Sequence, residues 1–133
     1  MTAQHTFATA PVRTSWPLQT LRAVVILHVV ALLFQAVTAG MLLTSSGGRA
    51  LHMTSGIALV AIGIIHLVAA ILVWRPGRGP AGFVAPAALL LVFTVVAAIL
   101  GELHMKVLHL PIGVLLFGAG VLQLTRVMPR RTA

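Results

Sequence analysis

The chain has 133 residues, of which 59% are apolar and 8% charged, and its mean hydropathy is +1.09. That length holds one domain, and soluble domains carry roughly a quarter charged residues, so an ordinary water-soluble globule is excluded. Cysteine and tyrosine are absent and Glu102 is the only acidic side chain, which excludes disulfides, thiolate metal sites, covalent haem attachment, paired-carboxylate hydrolysis and carboxylate cages for calcium, magnesium or di-iron.

Residues 1–20 contain no apolar run of signal-peptide length, so no cleavage is expected and they read as a mobile cytoplasmic tail. Beyond them the basic residues punctuate the chain. Residues 23–48, 50–74, 79–101 and 107–125 contain no Asp, Glu, Lys or Arg. A bilayer core needs about 20 apolar residues in a helix, so the spacing predicts four transmembrane helices at about 21–43, 51–73, 84–101 and 108–127. Thr44-Ser45-Ser46-Gly47-Gly48 and the Pro/Gly-rich 74–80 segment are turn sequences. Pro86 and Pro111 fall near helix starts, where a missing N–H costs little. Short links give an all-α, up-and-down four-helix bundle over 21–127, followed by a basic cytoplasmic tail at 128–133.

A sequence pI near 12 would suit nucleic-acid binding, but the charge distribution reads as topology and no nucleic-acid partner is expected. With both termini inside a bacterial plasma membrane, Arg13, Arg22, Arg75, Arg78, Arg126, Arg130 and Arg131 are cytoplasmic, and only Arg49 and Lys106 are outside. Trp16 and Trp74 then lie near the inner interface, which suits indole rings.

Helices 2 and 4 share a motif. Arg49, His52, Gly56 and Gly63 align with Lys106, His109, Gly113 and Gly120, each at an offset of 57. At 100° per residue the histidine and both glycines fall on one helix face. Helices 1 and 3 match more loosely, through Leu32-Leu33-Phe34 and Leu91-Val92-Phe93. The reading is two parallel-repeated hairpins, with helices 2 and 4 facing diagonally and His52 level with His109. Two facing imidazoles above cleared space suit a bis-histidine haem. Gly56, Gly113, Gly63 and Gly120 would admit the macrocycle, and Arg49 and Lys106 would pair with its propionates. The competing reading is packing, since glycine lets membrane helices approach closely.

His66 lies fourteen residues past His52 on the same face, about 21 Å away, and His28 on helix 1 is at a similar depth. A second haem held by His28 and His66 is one alternative. The other is that each is a neutral polar group, hydrogen-bonded to Gln35, Thr38, Thr54 or Ser55. His104 reads as a solvated loop residue or a substitute ligand, and Met53 or Met105 as packing or an axial thioether.

The segments Phe34-Gln35 to Gly40, Leu51-His52, Phe93 to Gly101 and Leu108-His109-Leu110 resemble one four-helix half of haem A synthase over roughly residues 22–125. The chain is also similar to small four-helix membrane proteins of actinobacteria and, more distantly, to cytochrome b-561. The resemblance implies haem ligation by His52 and His109. Haem A synthases carry an acidic residue just ahead of the first ligand, where this chain has Arg49, so oxygenase chemistry is not implied. The expectation is a b-type haem protein, with haem b near the outer face, that passes electrons or holds haem. No independent catalysis is expected. Its partners would be the bilayer, a quinol or membrane redox protein, and further subunits in a homo- or hetero-oligomer. The alternatives are a cofactor-free subunit or assembly factor, and quinone or lipid binding around His28, Gln35 and His66.

Overall fold

A computed structural model describes residues 16–129. The tails expected at 1–15 and 130–133, with His5, Arg13, Arg130 and Arg131, lie outside the described residues. Four helices follow in order: α1 Trp16–Met41, α2 Gly48–Trp74, α3 Val84–Glu102 and α4 Lys106–Val127, with a short 3₁₀ turn at Ala81–Phe83 leading into α3. Each of the four is long and apolar enough to cross a membrane.

The α3 start at Val84 matches the charge-gap reading, and the other three helices start earlier. α1 begins at Trp16, so residues 16–20 are helix and not tail. Pro17 occupies the first turn, where its fixed φ favours helix, and it is buried, with its ring close to Gly77 of the α2–α3 loop. α2 begins at Gly48, which packs directly on the Met41 carbonyl so closely that any Cβ would collide with backbone. Pro111 lies in the second turn of α4, deeper than a helix start, and removes the bond to the carbonyl four residues back.

The helices form a square. α1 packs on α2 and α4, α3 packs on α2 and α4, and no Cα of α2 comes within 8 Å of one of α4. The start of α1 and the end of α4 lie at one end (the terminal end). The α1–α2 and α3–α4 loops lie at the other (the loop end). Two apolar clusters fill the interior. Leu21, Val25, Ala69, Ala70, Val73, Ala87 and Val127 pack near the terminal end, and Leu32, Leu59, Leu90, Ala97 and Leu116 pack towards the loop end. The outer faces are also apolar, with Ile57 and Val114 each 72% exposed. Helices apolar all round suit lipid on the outside. Arg22 closes the terminal end, its Nε–H donating to the Val127 carbonyl at 2.7 Å.

The hairpins interlock through two of the repeated glycines. A Cβ on Gly63 would lie 3.0 Å from Leu91 Cδ1, and one on Gly120 would lie 2.9 Å from Leu32 Cδ1. Leu32 and Leu91 occupy equivalent positions in α1 and α3, so each hairpin inserts the same leucine against the other's glycine. Gly63 and Gly120 therefore each receive a leucine from the other hairpin. Gly120→Val should destabilise the bundle by about 1–3 kcal/mol through overpacking. Gly118→Val, where nothing lies within 4 Å, should stay within about 0.5 kcal/mol. Chemical unfolding in detergent compares the two.

Candidate functional site

His52 and His109 sit in the first two turns of α2 and α4 at the loop end, each half-buried. Their rings meet across the diagonal with centroids 6.1 Å apart and planes at 78°. That is an ordinary T-shaped ring contact. It is also close to the separation of about 6 Å that follows when a metal midway between two imidazoles makes bonds of about 2 Å to each.

Each ring is held through Nδ1 by the preceding helix. His109 Nδ1 lies 2.7 Å from the Ala97 carbonyl oxygen. A carbonyl only accepts, so Nδ1 carries a proton and, in the neutral ring, Nε2 carries the lone pair. His52 Nδ1 lies 3.0 Å from Thr38 Oγ1, which is itself 3.0 Å from the Gln35 carbonyl. With the hydroxyl donating to that carbonyl, His52 Nδ1–H donates to the hydroxyl oxygen, and Nε2 again keeps its lone pair. Thr38 and Ala97 are 59 residues apart, the same offset as Leu32 and Leu91. The repeat thus fixes both imidazoles in one way, by a hydroxyl in the first hairpin and by the main chain in the second.

The surroundings are not symmetric. Gln35 Nε2 lies 3.3 and 3.4 Å from the two ring nitrogens of His52. Being nearly equidistant, it rests against the ring and not on one lone pair, and it donates to the His52 carbonyl at 3.1 Å. Ser55 Oγ donates to Gln35 Oε1 at 2.5 Å. The same amide nitrogen would be 3.3 Å from a Cβ on Gly56, whereas nothing lies within 4 Å of Gly113. Gly113 is exposed with nothing against it, while Gln35 occupies the Gly56 side. Gly101 makes room for the His109 ring directly, since a Cβ there would lie 3.1 Å from His109 Cε1. Leu59 and Leu116, each seven residues past a histidine, are buried and form a floor beneath the pair.

Arg49 and Lys106 are exposed in the first turns of α2 and α4. Neither helix start has a side-chain cap or an acidic residue. A cation at a helix N-terminus opposes the macrodipole, so both helix starts would gain from an anionic group. His104 lies exposed in the α3–α4 turn with φ 59°, and Met53 and Met105 are exposed.

His28 and His66 form a second pair on the adjacent helices α1 and α2, both 1% exposed. Their Nδ1 atoms are 2.9 Å apart, one donating to the other, and their centroids are 5.1 Å apart at 85°. This direct bond is shorter than the roughly 4 Å that two metal–imidazole bonds span. The pair locks the first hairpin, and His28 Nε2 has no partner. At the equivalent place in the second hairpin, Gln123 Nε2 donates to the Pro86 carbonyl at 3.0 Å. Gln35, Thr38 and Ser55, expected near either buried histidine, gather at His52. Gln35 is seven residues from His28, about 10 Å along α1, so His28, Gln35 and His66 do not share one pocket. Among the described residues no three His, Cys, Asp or Glu side chains cluster as a metal site.

Compared with protein-family profiles, curated proteins and solved structures, the chain shows no match.

Replacing only His28 or only His66 by Leu strands a buried ring nitrogen and should cost about 1–3 kcal/mol. The double variant His28→Leu/His66→Leu should lose less than the sum of the two. Unfolding of all three in one detergent measures the coupling.

Proposed function

We propose that this chain is a membrane b-type haem protein in which His52 and His109 would hold one haem b between α2 and α4. The observation that carries the reading is the matched pair of Nδ1 anchors. A ligating histidine typically donates its other ring N–H to an oxygen acceptor, which fixes tautomer and orientation. Both histidines do so from repeat-equivalent positions, and both keep Nε2 for a ligand. The porphyrin would bring its own nitrogen donors, so two protein ligands would suffice.

The remaining residues have roles consistent with this. Gly113 and Gly101 clear space beside His109, and Gln35 would swing from Gly56 to admit the macrocycle edge. Arg49 and Lys106, with the uncapped starts of α2 and α4, would neutralise propionates. Bound there, haem supplies one-electron redox chemistry, while the protein contributes orientation and an apolar, water-poor setting. The function is electron transfer or haem holding in a bacterial plasma membrane, with both termini cytoplasmic by the distribution of Arg and Lys.

Purified from haem-replete cells, the chain should show a Soret band and a reduced α band, with one haem per chain by pyridine haemochrome. His52→Ala and His109→Ala should each abolish both bands, whereas His28→Ala and His66→Ala should keep the stoichiometry. Thr38→Val should weaken haem affinity about 10–100-fold by freeing the His52 ring. A colourless wild-type protein overturns the proposal. The Gly63–Leu91 and Gly120–Leu32 contacts, which fill the space at these glycines from within the chain, favour a second reading, a bundle that holds no cofactor, which predicts that His52→Ala and His109→Ala leave folding unchanged.

A further inference from the structure

The terminal end carries four arginines among the described residues, Arg22, Arg75, Arg78 and Arg126. Against its nine cations the whole chain has one carboxylate. That carboxylate, Glu102, closes α3 at the loop end, a full helix length of about 28 Å from the arginines. No side chain of this protein can therefore neutralise the terminal end. Arg22 donates through Nε–H to the Val127 carbonyl. Arg78 and Arg126 are exposed and make no side-chain hydrogen bond or ion pair among the described residues. Arg75 lies over the Trp74 ring, its guanidinium carbon 4.6 Å from the centroid, which leaves its N–H groups without an acceptor among those residues. The α2–α3 loop is folded back on the helix that precedes it. Gly77 N–H donates to the Leu72 carbonyl at 2.9 Å and Gly79 N–H to the Val73 carbonyl at 2.8 Å, so Arg75 and Arg78 stay level with the end of α2. Trp16 and Trp74 are exposed at the same end, and indole rings favour the depth where hydrocarbon gives way to headgroups. Arg126 belongs to the same level: it borders an apolar surface that includes Pro86 and Leu122.

We propose that the terminal end binds the anionic headgroups of acidic phospholipids, with Arg75, Arg78 and Arg126 as the principal contacts. The partner must bring net negative charge, because the protein has none to offer there. It must also present that charge directly above hydrocarbon, because the arginines sit beside exposed indoles and apolar helix faces. An acidic phospholipid meets both conditions, its phosphate accepting two N–H bonds from a guanidinium fork and its acyl chains lying along the helices. A zwitterionic headgroup carries its own ammonium and leaves the arginine charge unanswered. A soluble polyanion or free phosphate meets the charge but has no hydrocarbon for the surface below. The site is at the opposite end of the bundle from His52 and His109, so it holds whether or not haem is bound.

The only two tryptophans, Trp16 and Trp74, lie at this end, so quenching of their fluorescence by lipids with brominated acyl chains reports the lipid bound there. Full-length protein is reconstituted in phosphatidylcholine bilayers containing either brominated phosphatidylglycerol or brominated phosphatidylcholine. At low salt phosphatidylglycerol should be preferred about fivefold or more, since each basic residue near the surface contributes roughly that factor. The preference should fall towards unity at about 1 M salt, where the screening length is about 3 Å. Arg75→Gln/Arg78→Gln/Arg126→Gln should lower it about threefold or more, and the corresponding triple Lys variant, which keeps the charge, should retain most of it. Millimolar inorganic phosphate at constant ionic strength should leave it unchanged. Equal quenching by the two lipids in the wild-type protein overturns the proposal, and that comparison needs no variant. A preference that the triple Gln variant keeps in full, or that dilute phosphate abolishes, overturns it as well: the first moves the site elsewhere, and the second makes it a free-phosphate site.

Discussion

In a bundle whose exterior and interior are both apolar, a polar side chain must find its partner within the protein or remain unpaired at a cost of several kcal/mol. Each hairpin meets that demand with the same geometry: a polar residue on its second helix bonds back to the first. His52 reaches Thr38 and His66 reaches His28 in the first hairpin, while His109 reaches the Ala97 carbonyl and Gln123 the Pro86 carbonyl in the second. These four contacts fix the register of each hairpin at two depths. The facing of His52 and His109 follows, because both rings are held from behind and project to the diagonal.

Joining the hairpins is a separate task, and it is done without polar atoms. Leu91 against Gly63 and Leu32 against Gly120 bring α2 to α3 and α1 to α4 at matching heights. Close approach over glycine is the usual source of packing energy between helices in lipid, where no hydrophobic driving force separates protein from solvent. The repeated glycines therefore divide their work. The far pair joins the hairpins, and the near pair, Gly56 and Gly113, lies beside the imidazoles.

Much of this could be read from the amino acids. The gaps between charges locate four helices to within a few residues, and the offset of 57 pairs His52 with His109. The start of α3 agrees, whereas α1, α2 and α4 start earlier, because those starts depend on contacts, such as Pro17 with Gly77, that hydropathy does not encode. The partners of Gln35, Thr38 and Ser55 were misassigned for a related reason: the rotation of α1 against α2 decides which histidine they meet. A clue was available, since the offset of 59 between Leu32 and Leu91 also relates Thr38 to Ala97. The second anchor had no side-chain signal at all, because a main-chain oxygen serves there.

That difference between the anchors has an evolutionary consequence. A hydroxyl can be altered by one codon change, so the basicity and tilt of the imidazole at position 52 are open to selection. The carbonyl behind position 109 is common to every amino acid and survives any substitution of its own residue. Under the haem reading, one axial ligand is adjustable and the other invariant, so drift in midpoint potential among descendants of this chain should be traced to the first hairpin.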